Sequence, residues 1–147
     1  MAIEFVIRRG PPHTPAVASF GGEGEVAGVT NVNSCVALRR VRSAEQIPDL
    51  VIADFMDLPA DWNAQFEYVI GNMMPSHGRA GLRIAQEAFR ILRPAGLVGF
   101  WGVTFGTDGW HEYLRGAGFT NVRTEAWKVT DADGQVWSAR YGTGEKP

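Results

Sequence analysis

The feature that most constrains this 147-residue chain is a regular alternation of apolar runs and helical patterns over residues 34–141. The apolar runs are rich in β-branched residues and show no inside–outside alternation, which is typical of strands buried on both faces of a parallel sheet. The predicted strands are 49–53, 66–70, 97–103, 122–129 and 135–141. The predicted helices are 78–93 and 108–115, with a short helix from Asn33 or Ser34 to about Arg42.

The last two predicted strands are joined by Asp131-Ala132-Asp133-Gly134, a tight-turn signal that makes them an antiparallel hairpin. The whole order predicts an α/β fold with a doubly wound, mostly parallel sheet and a C-terminal antiparallel hairpin. We expect a single domain over residues 1–147. Residues 1–33 form an atypical segment rich in Gly and Pro, with strand candidates at 3–7 and 25–30, and residues 142–147 form a flexible tail.

Composition excludes several classes of protein. Hydrophobic residues make up 45% and charged residues 20%, as in a soluble globular domain, and the net charge of −2 offers no general attraction to nucleic acid. The single cysteine, Cys35, permits no internal disulfide and fits a reducing compartment, so we expect a cytoplasmic protein. There is no apolar run long enough for a membrane span and no metal-ligand motif.

Four segments carry sequence motifs in a fixed order. The strand end 53–59 resembles "GDA-x-x-LP", and 66–72 is similar to a strand of the form "FD-V-hydrophobic-S/N". Residues 87–96 resemble "EA-x-RVLRPGG", and 114–122 match "L-x-x-AGF-x-x-V". In this order the motifs resemble those of class I S-adenosylmethionine-dependent methyltransferases that act on small molecules. The resemblance covers roughly two-thirds of the chain and implies a Rossmann-like fold with S-adenosylmethionine at the carboxyl ends of the first strands.

The resemblance also assigns a role to the residues after the third strand of the family fold. It implies that the Asp54 carboxylate accepts a hydrogen bond from the adenine amino group and that the backbone at Phe55 covers the ring. The alternative is that Asp54 is a plain acidic cap at a strand end.

The family's glycine-rich first loop has two candidate positions in this chain. Counting back from Asp54 leads to Phe5–Gly10, which contains no Gly-x-Gly pattern. The segment 18–24 contains Gly22 and Gly24 in a Gly-Gly-x-Gly pattern, close to the next predicted strand; the alternative there is a flexible surface loop.

The predicted second strand ends at Thr30 and Asn31, where the family has an acid that holds the ribose hydroxyls. Both side chains can hydrogen-bond a hydroxyl group, without the charge of a carboxylate. Asn72 and His77 follow the next strand, where such enzymes place catalytic and substrate groups, and Asn72 is also predicted to contact the cofactor. The alternative for His77 is an exposed loop histidine.

Two further groups of residues have both a functional and a structural interpretation. Aromatic and histidine side chains near the fifth family strand could line a substrate pocket or pack over the sheet: Trp101, Trp110, His111 and Tyr113. Arginines on one face of the 78–93 helix could meet phosphate or form a solvated face: Arg79, Arg83, Arg90 and Arg93.

The sequence therefore predicts an S-adenosylmethionine-dependent methyltransferase with a small-molecule acceptor, no membrane contact and a homodimer as one possible assembly. An inactive methyltransferase-like binding or assembly module is the first alternative, because the glycine loop and the ribose acid depart from the pattern. A nucleic-acid methyltransferase is the second alternative, and the near-neutral charge argues against it.

Overall fold

One mostly parallel sheet organises the chain. The computed structural model describes residues 2–6, 17–20, 30–33, 50–74, 79–102, 108–130 and 136–147. The strands in these ranges are β1 (Ala2–Val6), β2 (Val17–Phe20), β3 (Thr30–Asn33), β4 (Leu50–Ile52), β5 (Phe66–Met74), β6 (Leu92–Gly102), β7 (Thr120–Thr130) and β8 (Val136–Glu145). The helices are α1 (Arg79–Ile91) and α2 (Asp108–Ala117), and Ala60–Trp62 form a short 3-10 turn.

The strand order is β1-β7-β8-β6-β5-β2-β3-β4. All neighbours pair in parallel except β8, which is antiparallel to both β6 and β7. The predicted mostly parallel sheet with a C-terminal antiparallel hairpin is therefore confirmed. Chain order reverses direction at β2, whose neighbours are β3 on one side and β5 on the other.

The N-terminal segment contributes strands to two separate parts of this sheet. The predicted strand at residues 3–7 exists as β1, but it pairs with β7 at the edge farthest from β4, with Ala2 beside Ala126. Phe5–Gly10 is thus wrong as a position for the first family strand and its loop. That position belongs to β2, which lies between β5 and β3 and runs directly into Gly21.

The next strand also differs from the sequence prediction. β3 begins at Thr30 and ends at Asn33, so the expectation that a strand ends at Thr30 and Asn31 is wrong. Its register with β2 places Thr30 beside Ala18 and Val32 beside Phe20. The predicted strand over 25–29 and the helix from 34 to 42 lie outside the described residues.

The hydrophobic core lies between the sheet and the two helices. In α1 the apolar residues recur at helical spacing, so one stripe is buried: Ile84, Ala85, Ala88 and Ile91 are at most 2% exposed. In α2 the buried residues Trp110 and Leu114 are one turn apart and face the same core. Neither helix in the described ranges has the length and apolar character that a membrane crossing requires.

The C-terminal residues are part of the sheet rather than a flexible tail. Residues 142–145 belong to β8, and the Lys146 backbone N–H donates to the carbonyl of Gly96 at 2.9 Å. Gly144 is required there because a Cβ on it would lie 2.9 Å from Cβ of Phe119. The prediction of a flexible tail over 142–147 is therefore wrong. Glycine is depleted in strands, so the sequence contains no strand signal here, whereas the close packing against Phe119 requires a glycine.

The helices α1 and α2 meet where a glycine allows close approach. A Cβ on Gly81 would lie 2.3 Å from Cε2 of Tyr113, whose ring is held edge-on against Trp110 with centroids 5.5 Å apart. We expect Gly81→Ala to lower the free energy of unfolding by about 1 to 3 kcal/mol through overpacking, despite the better helix propensity of alanine. Chemical denaturation measures this loss.

The matched control is Gly116→Ala in α2, where the added Cβ meets only the flexible end of Leu82 at 3.1 Å. We expect this variant to match or exceed the wild type in stability. Equal stability of the two alanine variants would contradict the close-packing argument.

A second backbone feature lies in the Pro94-Ala95-Gly96 segment of β6. Ala95 has a φ of 67°, in the left-handed region, and its N–H donates to the carbonyl of Lys146 at 2.8 Å. We expect Ala95→Gly to raise the free energy of unfolding by about 1 kcal/mol, because glycine adopts this conformation without the Cβ clash. Thermal and urea unfolding check this, with Ala80→Gly in α1 as a control expected to lower stability.

Candidate functional site

The carboxyl edge at β2 is the natural ligand position of this sheet. In open α/β sheets, ligands bind outside the carboxyl ends of the strands at the point where chain order reverses. Here that point lies between β2 and β5, where Phe20 is beside Gly71. The residues that follow β2 begin the sequence Gly21-Gly22-Glu23-Gly24, so the glycine-containing segment starts at the switch point.

Asp54 and Phe55 lie at the same edge, two strands away. β4 ends at Ile52, beside Asn33 of β3, and a turn follows in which the Asp57 N–H donates to the carbonyl of Asp54 at 3.0 Å. The exposed Asp54 side chain accepts from the Met56 N–H through Oδ1 at 2.8 Å. Asp54 therefore organises its own turn, as the capping alternative predicted, and this turn follows the carboxyl end of β4.

The structure brings some of the predicted site residues together and separates others. Asn72 directly follows Gly71, so it lies at the switch point in β5. Thr30 and Asn31 lie at the start of β3, away from the carboxyl edge, so a ribose contact there is not supported. Asn33 occupies the strand end instead. Gly22, Gly24 and His77 lie outside the described residues.

A series of aromatic rings packs between this edge and the hydrophobic core. The fully buried Phe20 stacks on Phe55 with centroids 5.1 Å apart and an interplanar angle of 1°. Phe20 also contacts Phe100 at 5.7 Å, and Phe100 contacts Trp110 at 4.7 Å. These ring contacts join the turn after β4 to β2, β6 and α2, which supports the packing interpretation of Trp110.

The other aromatic candidates have structural partners or lie outside the description. His111 Nε2 is 3.0 Å from Thr124 Oγ1, between α2 and β7. Tyr113 packs against Trp110 and Gly81. Trp110 is fully buried, and its indole Nε1 has no hydrogen-bond partner among the described residues. Trp101 lies in β6, and its side chain is outside the described part of the chain.

The sequence did not reveal a polar clamp formed by Glu87 and Arg90 of α1, hereafter the α1 clamp. Glu87 is 4% exposed and accepts from the Leu58 N–H through Oε2 at 2.9 Å. Arg90 donates to both carboxylate oxygens of Glu87, at 3.1 and 2.8 Å. The same guanidinium donates to the carbonyls of Leu58 and Pro59, each at 3.2 Å, and to Oδ1 of Asn63 at 2.7 Å.

The α1 clamp is reinforced by backbone contacts at the end of the helix. The N–H groups of Ala64 and Gln65 donate to the carbonyls of Arg90 and Ile91, at 3.0 and 2.8 Å. These bonds satisfy carbonyls that a helix C-terminus otherwise leaves unpaired. Residues 58–65 are therefore fixed to α1 at both ends.

The charge state of Glu87 follows from this arrangement. Burial opposes ionisation of the carboxyl, but the hydrogen bonds from Arg90 and from the Leu58 N–H outweigh it, and they hold the pKa of Glu87 below its ordinary value of 4.5. Arg83 adds a longer ion pair at 3.7 Å. Arg90 is thus not part of a solvated arginine face, whereas Arg83 and Arg93 remain about half exposed.

Solved structures with the same architecture include S-adenosylmethionine-dependent methyltransferases. A protein from Thermotoga maritima, described as a possible histamine N-methyltransferase, is 14% identical over 93% of this chain and 84% of its own, with a TM-score of 0.67. A methyltransferase from Methanosarcina mazei is 11% identical over 95% and 99%, with a TM-score of 0.61. The (4+2)-cyclase SpnF is 16% identical over 90% and 74%, with a TM-score of 0.61.

These likenesses establish the fold. The chain has the class I methyltransferase architecture that the four motifs predicted, with β1 added at its far edge. No sequence-family model matches the chain, and no curated protein matches it in sequence. Within the described ranges, no cluster of three or more His, Cys, Asp or Glu side chains could hold a metal ion.

The low pKa of Glu87 predicts a specific acid sensitivity. A carboxyl whose pKa is depressed on folding stabilises the protein above its unfolded pKa, and this stability is lost as pH falls through the folded pKa. We expect Glu87→Gln to be about 1 to 3 kcal/mol less stable than the wild type at pH 7, because the charged hydrogen bonds are lost. Below about pH 4.5 this difference should shrink.

Urea unfolding at a series of pH values measures the effect. The control is Glu112→Gln, an exposed glutamate on α2, which should keep the acid dependence of the wild type. A stability gap between wild type and Glu87→Gln that stays constant down to pH 3 would rule out ionised Glu87 as the source.

Proposed function

We propose that this protein binds S-adenosylmethionine at the carboxyl edge of its sheet and transfers the methyl group to a small-molecule acceptor. The observation that carries the proposal is the position of the glycine-containing segment 21–24. It directly follows the strand at the switch point, and Asp54 follows β4 at the same edge.

The residues present fit the adenosyl part of such a ligand. β2 and β4 are separated by one strand, so their ends lie about 10 Å apart, and a single extended ligand can contact both. Asp54 uses Oδ1 for the Met56 N–H. A carboxylate offers about four acceptor positions, so it can also accept from the exocyclic amine of adenine.

The other proposed site residues are assigned roles from their positions along the carboxyl edge of the sheet. Gly22 and Gly24 are expected to bring backbone N–H groups close to the cofactor, and the strand end at Asn33 is the position for a ribose contact. When bound, S-adenosylmethionine supplies an electrophilic methyl group. Asn72 is expected to orient the acceptor and the cofactor, and His77 to accept a proton from the acceptor.

The proposal of a small-molecule acceptor is based on the net charge of the chain. A net charge of −2 gives no broad attraction to a nucleic-acid backbone, so we propose neither nucleic acid nor a membrane as partner. The single cysteine supports a cytoplasmic location. A homodimer remains an expectation from sequence.

A second function is favoured by one observation. The connection between β2 and β3 is residues 21–29, which is shorter than the dozen or more residues that a parallel crossover generally takes. A shortened connection at the glycine segment fits a methyltransferase-like module that binds a ligand or partner without transferring a methyl group. The two functions differ in turnover, which an assay for S-adenosylhomocysteine release from candidate acceptors measures.

Binding of S-adenosylhomocysteine tests the cofactor site directly. We expect saturable binding by calorimetry, and roughly tenfold weaker binding by Asp54→Asn, because a hydrogen bond to a charged acceptor is lost. The asparagine keeps an oxygen for the Met56 N–H, so the turn persists. Its amide NH₂ then opposes the amine of adenine.

The matched control is Asp61→Asn, which removes the same charge from an exposed residue of the 3-10 turn and should bind as the wild type does. Absence of heat with the wild type at millimolar ligand would refute the cofactor site. Equal affinity of Asp54→Asn and the wild type would refute the role of Asp54.

A further inference from the structure

The turn that carries Asp54 is weakly held on its strand side. Among the described strands, β4 has three residues, lies at the edge of the sheet and pairs with β3 alone. Asp54 and Met56 are exposed, and the side-chain bond at this turn is local, from the Met56 N–H to Asp54 itself. The short edge strand itself therefore does little to fix the turn, which is held from the core by the stacking of Phe55 on Phe20.

On its other side the turn is held by the α1 clamp. Leu58, the residue after the turn, is 3% exposed and is bound through both of its peptide groups: its N–H donates to Glu87, and its carbonyl accepts from Arg90. Both clamp side chains are also bonded to each other. This bidentate pair has a buried carboxylate and a partly buried guanidinium, and the planar fork of the guanidinium restricts its geometry.

We propose that Glu87 and Arg90 are positioning residues for adenine recognition: the α1 clamp sets the Asp54–Asp57 turn so that the Asp54 carboxylate meets the exocyclic amine of the ligand. This inference rests on the proposed cofactor site. The clamp binds Leu58 and Pro59, directly after the turn, and acts on Asp54 through this backbone. We expect it to act on one group of the ligand, since the clamp makes its backbone contacts after β4, whereas Phe20 and Asn33 are positioned by strand pairing.

If the clamp is weakened by mutation, we expect a loss of affinity that is specific to the adenine amine. A shift of the turn weakens the bond to the amine, while contacts of the ribose and methionine parts are unaffected. S-adenosylhomocysteine and S-inosylhomocysteine separate these effects, because the second ligand carries an oxygen in place of the amine. The wild type should prefer the adenine ligand about tenfold or more.

The central variant is Arg90→Lys, which keeps the charge beside Glu87 and removes the fork that reaches Leu58, Pro59 and Asn63. We expect its affinity for S-adenosylhomocysteine to fall about fivefold to tenfold, with little change for S-inosylhomocysteine. The matched control is Arg93→Lys, whose exposed arginine pairs with Glu67 outside the clamp. It should keep the preference of the wild type.

A milder variant tests the inference in case Arg90→Lys does not fold. Asn63→Ser removes an exposed partner of Arg90 and leaves the bonds to Leu58 in place, so the preference should shrink by a smaller factor. A folded Arg90→Lys protein that loses affinity for both ligands equally, or that keeps the full preference, would overturn the inference.

Hydrogen exchange on the ligand-free proteins provides a readout that does not depend on binding. In Arg90→Lys the amides of Met56, Asp57 and Leu58 should exchange faster, while the amides of α2 keep their protection. Unchanged exchange at these amides would refute the positioning role even if the cofactor binds. If the amides exchange faster in Arg90→Lys but the wild type binds neither ligand, the proposed cofactor function is refuted and the clamp is a purely structural device.

Discussion

The contact on which the carboxyl edge depends is the stacking of Phe20 on Phe55. Phe20 ends β2, and its parallel stacking contact with Phe55 joins β2 to the turn after β4, on the other side of β3. Burying an aromatic pair contributes about 1 kcal/mol beyond the area removed from water. Because β4 is short, this apolar contact and the α1 clamp together determine where the turn lies. One holds the turn from the core and the other from the helix.

The fold by itself does not determine the reaction. Proteins with this architecture include methyltransferases and SpnF, which is described as a cyclase. Chemistry must therefore be argued from side chains at the edge of the sheet. In this chain the turn after β4 has a hydrogen-bonded carboxylate, and a glycine-containing sequence comes directly after β2. These are the features on which the proposed cofactor site is based.

The fold was more predictable from sequence than the site. Helical periodicity and the Asp131–Gly134 turn identified α1 and the hairpin, because both signals are local. The partner of β1 could not be predicted, since nothing local distinguishes a strand beside β7 from one beside β5. The role of Arg90 was hidden for a similar reason. A helical wheel places it on the polar face, and only the return of residues 58–63 over that face buries it.

The placement of β1 has a consequence for how the sheet is completed. Ala2 pairs with Ala126, so the first described strand has a partner very distant in sequence. Contacts this distant in sequence are slow to form, because the entropy of closing a long loop must be lost before the pairing is gained. The outer edge of β7 is therefore covered through a contact that is slow to form. Until then it offers unpaired backbone groups to any other extended chain nearby.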